Sequence, residues 1–274
     1  MKGLLKADFK RVLKDKLLLV MGILAVVFAA FTPLLYAVMF SSMGMEEDPM
    51  LAAFITGKAQ FFTTFSIGNN LGLIAPVLLG IALCKDFSFG TVRNKIIAGK
   101  SRSAIYLSLF VTCATVLTVV MVGHALITLG ISLIFFDYQS TAFTLSDFWY
   151  FLESLAFSIL VLLWVAALLS YLCACMKNVG LVIVLYIAVA FALTIVGSIV
   201  QVILSVLQAT GENETLADIL YFVDRINVGT ASLHIGTGTE YTLKDVLYHT
   251  LPVIAGILGF TGLGLWQFNK KDLK

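Results

Sequence analysis

The chain has 274 residues, 60% of them hydrophobic and 12% charged, at a mean hydropathy of +1.00. Soluble domains carry about 25% charged residues, and a chain of this size has no room to hide so much apolar surface in a water-soluble core, so lipid is its solvent. The net charge of +2 says little until the charges are placed on the two sides of a membrane, and no nucleic-acid partner is expected.

Residues 1–16 carry Leu5, Phe9, Val12 and Leu13 at i, i+4, i+7 and i+8, with Lys6, Lys10, Arg11 and Lys14 on the other faces. That pattern predicts an amphipathic helix on the inner membrane surface, its bases each gaining roughly 1 kcal/mol beside an anionic leaflet. The basic start before an apolar run resembles a secretory signal. The run from Leu17 continues to about Phe40, however, longer than a signal core of roughly 7–15 residues, and reads as a first span.

Apolar runs able to cross about 30 Å of hydrocarbon predict six spans, near 17–40, 61–84, 105–135, 151–176, 178–205 and 247–268. The fold class is thus an all-α integral membrane protein, with one transmembrane domain over 1–274. Of the 18 lysines and arginines, only Lys58, Arg225 and Lys244 fall outside the termini, the 85–103 loop and Lys177. Acids divide the other way, with only Asp8, Asp15, Asp86 and Asp272 on that basic side. The positive-inside rule then predicts a multi-pass protein of the cell (plasma) membrane with both termini cytoplasmic and with 41–60, 136–150 and 206–246 facing outward.

The loop 85–103 is longer than the roughly 2–8 residues that join neighbouring helices. Phe89, Val92 and Ile96 recur at i, i+3 and i+7, Arg93, Asn94 and Lys95 lie elsewhere on the turn, and Gly99 is a stop signal. A short helix displaying an apolar stripe at the cytoplasmic surface follows. Gly99-Lys100-Ser101 imitates the end of a nucleotide-binding loop, but Asn94 stands where the first glycine is required and no strand precedes it, which argues against a phosphate cradle.

Within the spans, His124 is the main ionisable residue, expected as a neutral imidazole bonded to a neighbouring helix, and Glu153 lies at the outer edge of the fourth span. Gln201 is read in the same way as His124. So few charges at mid-membrane disfavour an ion-coupled carrier. Ala255 and Gly259 form a small-xxx-small pair suited to close helix contact, and Pro33, Pro76 and Pro252 allow kinks. Cys84, Cys113, Cys173 and Cys175 all lie in or beside apolar runs, so neither a disulfide framework nor a metal site is expected. Nothing in the sequence forms a catalytic constellation, and the chain is not expected to be an enzyme.

Asp86, Gly90-Thr91, a short helix and Ser101-Arg102, in that order before a span, resemble the cytoplasmic signature of ABC-2 type permeases, the membrane subunits of type V ATP-binding-cassette exporters. The wider layout, with its basic N-terminal helix, six spans and long outer segment, is similar to that family across the whole chain. Asp86 stands where many members have glutamate, and Ser108 and Leu109 where they have a lysine.

The resemblance implies a permease domain with an elbow helix at 1–16, a coupling helix in the 85–103 loop and short re-entrant helices within 206–246, around Leu216 to Val223. It further implies that Asp86, Phe89, Gly90, Thr91, Val92, Arg93, Ile96 and Arg102 meet two copies of a separate ABC ATPase subunit. ATP and Mg would reside on that partner and no cofactor in this chain. A second permease chain, identical or related, would complete the conduit. Twelve outer acids against three outer bases suggest a cationic antimicrobial peptide or another amphiphile as cargo. The alternative is a secondary transporter or channel that works without an ATPase.

Overall fold

The computed structural model describes residues 2–43, 55–139, 141–176, 178–210, 213–234 and 243–270. Lys177, Lys271, Lys274 and much of the 41–60 loop, all used in the charge tally, lie outside them. The described residues form helices and turns with no strand: α1 (Lys2–Leu13), α2 (Lys16–Met43), α3 (Gly57–Thr63), α4 (Asn70–Ser88), α5 (Thr91–Ile97), α6 (Arg102–Phe135), α7 (Leu145–Cys175), α8 (Val179–Thr210), α9 (Glu214–Ile226), α10 (Val228–His234) and α11 (Leu243–Lys270). Six of these, α2, α4, α6, α7, α8 and α11, are long and apolar enough to cross a membrane. The chain is a multi-pass membrane protein.

Helices α6 and α7 form the centre of the bundle, with α2 packed along α6 and α11 along α7. Much of α2, α8 and α11 faces outward. His124 of α6 donates from Nδ1 to the Ala25 carbonyl of α2 at 2.8 Å, the neighbouring-helix bond expected of it.

The close approach of α11 does not use Ala255 and Gly259, both of which are exposed. It uses Gly256 and Gly264, where an added Cβ would sit 2.1 Å from Trp164 Nε1 and 2.1 Å from Tyr106 Oη, respectively. Small residues were placed on the right helix and the wrong face, because the sequence does not show where the facing aromatic rings stand.

The second span departs most from expectation. It was expected from 61, but the spanning helix α4 starts at Asn70, and the segment before it is the short α3 followed by a turn. Polar side chains hold the turn open. Thr64 Oγ1 donates to the Phe61 carbonyl at 2.6 Å, Asn69 Nδ2 donates to Thr63 O at 3.1 Å, and Asn69 Oδ1 accepts from the Asn70 N–H at 2.6 Å. Such irregular backbone is tolerated at membrane depth only where protein covers it, and Phe61, Phe62, Phe65, Ile67 and Leu71 are all buried here. The roughly 27 Å length of an 18-residue span at 1.5 Å per residue is close to the minimum for crossing.

Candidate functional site

Helices α1 and α5, the start of α6 and the end of α11 gather at one end of the bundle, called here the basic end. Helix α1 buries Leu4, Asp8 and Val12, spaced by four, and packs on α6. This bundle-facing side shares only Val12 with the apolar stripe expected at the membrane surface, and an acid occupies its middle; Leu13 is exposed and Phe9 is half-buried. Lys6 and Lys10 stay exposed, whereas Arg11 turns inward.

The acid on that face is the key to the site. Asp8 is 1% exposed and Asp86, at the end of α4, is 0% exposed. Lys95 of α5 bridges them, with Nζ 2.6 Å from Asp8 Oδ1 and 3.1 Å from Asp86 Oδ2. Arg11 pairs with the other oxygen of Asp86 and also reaches the Ala82 carbonyl at 3.5 Å. Ser108 of α6 donates to Asp8 Oδ2 at 2.6 Å. A more exposed pair, Lys85 and Asp15, lies beside it at 2.8 Å. Three carboxylates and three cations therefore balance where α1, α4, α5 and α6 meet.

Burying a charge costs several kcal/mol unless it is paired and hydrogen-bonded; Asp8 has a cation and a hydroxyl, and Asp86 has two cations. For Asp15 burial is the largest single influence and pushes its pKa up. Hydrogen bonds from Lys85 and Leu17 and the charges of Lys85 and Arg11 outweigh it and hold the carboxyl below its usual value.

The loop helix expected within 85–103 is present as α5, and glycines delimit it. Gly90 (φ +71°) and Gly99 (φ +74°) both adopt the left-handed conformation. Neither would bring an added Cβ within 4 Å of anything, so conformation and not space calls for glycine. The Gly99 N–H donates to Ile96 O at 2.9 Å, closing the helix where the sequence marked a stop.

The displayed stripe differs from the expected one. Val92 is 2% exposed and packs inward, with Ile96 partly buried against the core, while Phe89 at 77% and Ile97 at 74% stand out from the surface. Arg93 and Asn94 are exposed, and Thr91 is half-buried. The cause is Lys95: its bond to two buried acids fixes the rotation of α5 about its axis.

Arg102 does not join this cluster. It donates to the carbonyl of Asn269 at 2.9 Å, with that of Phe268 at 3.5 Å, so its cation caps the negative end of α11. Phe87 packs edge-on against Phe268 at 5.9 Å between ring centroids. Asp86, Val92 and Arg11 thus meet in one braced unit, while Phe89 and Ile97 are offered to the surroundings. Asp8, Lys95, Asp15, Lys85 and Ser108 were missed as site residues. The only signal for the acids was their presence in an otherwise basic segment.

No group of three or more metal-ligating side chains occurs among the described residues. Cys84 and Cys173, both buried and not disulfide-bonded, approach to 2.9 Å between sulfurs. No curated protein matches the chain. One family does, over residues 17–274, which takes in every spanning helix, Asp86, Lys95 and Ser108 but not α1, and the chain therefore belongs to DUF2705, a family described as a protein of unknown function.

Proposed function

We propose that the chain is the membrane-spanning permease subunit of an ATP-driven exporter, worked by two copies of a separate ABC ATPase and paired with a second permease chain. The family carries no assigned activity, so the reading rests on the basic end. The observation that carries it is a short helix, α5, bound through Lys95 to Asp8 of α1 and Asp86 of α4, with Ser108 of α6 bonded in turn to Asp8. The excess of lysine and arginine at this end supports a cytoplasmic position for it.

A helix that only joined two spans would need no such bracing. Here a force on Phe89 and Ile97 passes through α5 and Lys95 to Asp8 and Asp86, and so into α1, α4 and α6 together. In this reading α5 is a coupling helix, Phe89 and Ile97 fill an apolar cleft on the ATPase, and Arg93 lies at the rim of the contact. Large apolar side chains at the centre of an interface with charges around them are the usual anchors of binding. Lys6 and Lys10 rest on the anionic leaflet while the buried face of α1 stays locked to the bundle. Helices α9 and α10 close the outer end.

The test is purification of the tagged chain from its native membrane in mild detergent, with mass spectrometry and an ATP hydrolysis assay. A stoichiometric ATPase subunit and hydrolysis are expected. Reproducible absence of both would replace this reading with a carrier or channel that works alone.

A further inference from the structure

A cavity of about 230 Å³ lies between α7 and α11 at the end of the bundle away from the termini, lined by Glu153, Ala156, Phe157, Leu160, Val246, His249 and Thr250. Its α7 wall runs from a carboxylate to apolar side chains, and on α11 Val246 lies at the Glu153 end with His249 facing Phe157. Glu153 and Leu160 both come from α7, and seven residues of helix separate them by about 10 Å along the axis. The carboxylate therefore marks one end and the Phe157 and Leu160 side chains the other.

Glu153 forms no ion pair or hydrogen bond with any described residue, although it belongs to a membrane-spanning helix. It is exposed and sits in the first turns of α7, so its carboxylate is available at the mouth of the cavity. The opposite wall is fixed. His249 Nδ1 donates to the Arg225 carbonyl at 3.0 Å, which ties α11 to α9, and its ring lies 5.9 Å from that of Phe157. The Arg225 guanidinium does not supply the missing cation, since it stacks on Tyr221 at 4.1 Å, one turn back along α9.

We propose that this cavity binds a cationic amphiphile, its charged head at Glu153 and the end of its apolar chain against Phe157 and Leu160. The volume suits the terminal part of one chain, since a cavity of about 150 Å³ already holds a benzene ring, and a single carboxylate at the rim selects positive over neutral or negative heads. Occupancy does not depend on the exporter reading. That the occupant is cargo does depend on it.

The full chain is placed in phosphatidylcholine nanodiscs and photolysed with three probes sharing one diazirine-bearing alkyl tail: a trimethylammonium, an alcohol and a sulfate. Labelled positions are mapped by mass spectrometry. The expected result is labelling at Phe157 and Leu160, with the trimethylammonium probe favoured over the alcohol by roughly fivefold or more, as one partly exposed charge pair provides. The sulfate is expected to label least.

Glu153→Gln should remove the preference for the cation and leave alcohol labelling unchanged, while Leu160→Trp should block every probe. Equal labelling by all three probes in the unaltered chain would overturn the proposal, and that comparison needs no variant to fold. Labels confined to other sites, or a cation preference that survives Glu153→Gln, would overturn it as well. No ATPase is needed for this experiment, so its failure is distinct from failure to find one.

Discussion

At the basic end, ion pairs join α1, α4 and α5 and the Ser108 hydrogen bond to Asp8 adds α6, whereas the far end is held by aromatic rings and hydrogen bonds to backbone carbonyls. Phe61 of α3 packs on Phe62, Phe65 and Phe151 with centroids 4.9, 5.5 and 5.4 Å away. The N–H groups of Gly57 and Lys58 donate to the carbonyls of Asp137 and Tyr138 at 2.9 Å each, and Asn227 Nδ2 reaches Leu193 O at 2.8 Å. In lipid, apolar packing gains little from water exclusion, so rings can shift against one another at modest cost. A buried carboxylate cannot leave its cation so cheaply. On the proposed reading the basic end moves as one piece and the far end rearranges.

The comparison breaks most readily at Lys95. Lys95→Met leaves Asp8 and Asp86 buried with one cation fewer, and removing one partner of a buried pair costs about 3–5 kcal/mol. A large fall in thermal midpoint in detergent is expected, partly recovered by Asp8→Asn. Phe61→Leu, the corresponding change at the far end, should cost less, about 1–2 kcal/mol from lost ring contacts. Equal midpoints for the two variants would show that the ends are not held differently.

The smallest expected effect is at Asp15 and Lys85. Their pair is partly exposed, with side chains 18% and 36% accessible, and solvent screening limits such pairs to at most about 1 kcal/mol. Because the folded-state pKa of Asp15 is lowered, its contribution is present above the unfolded value of about 3.9 and is lost as pH falls through the folded value. Asp15→Asn should narrow the difference in midpoint between neutral and acidic buffer. An unchanged difference would remove Asp15 from the account.

Much of the frame could be read from periodicity. Six apolar runs locate the spanning helices, and Gly99 locates the end of α5, because length and left-handed turns are local properties. The start of α4 was hidden because Phe65 and Ile67 keep the preceding turn apolar, and only the hydrogen bonds of Thr64 and Asn69 reveal the break. The charge network was hidden for a different reason. Asp8 sits among lysines and reads as solvated, and its partners Lys95 and Ser108 lie far away in sequence. The rotation of α5, and with it the exchange of Val92 for Ile97 on the exposed face, follows from that unseen contact.

Phe89 and Ile97 together give the most direct test of the account. They are exposed, so replacing both by aspartate should leave insertion and folding intact, which Val92→Asp would not. In the purification described above, the unaltered chain is predicted to bring down its ATPase, and Phe89→Asp/Ile97→Asp to insert normally and lose it. An ATPase retained in full by the double variant would contradict the role assigned to this end of the molecule.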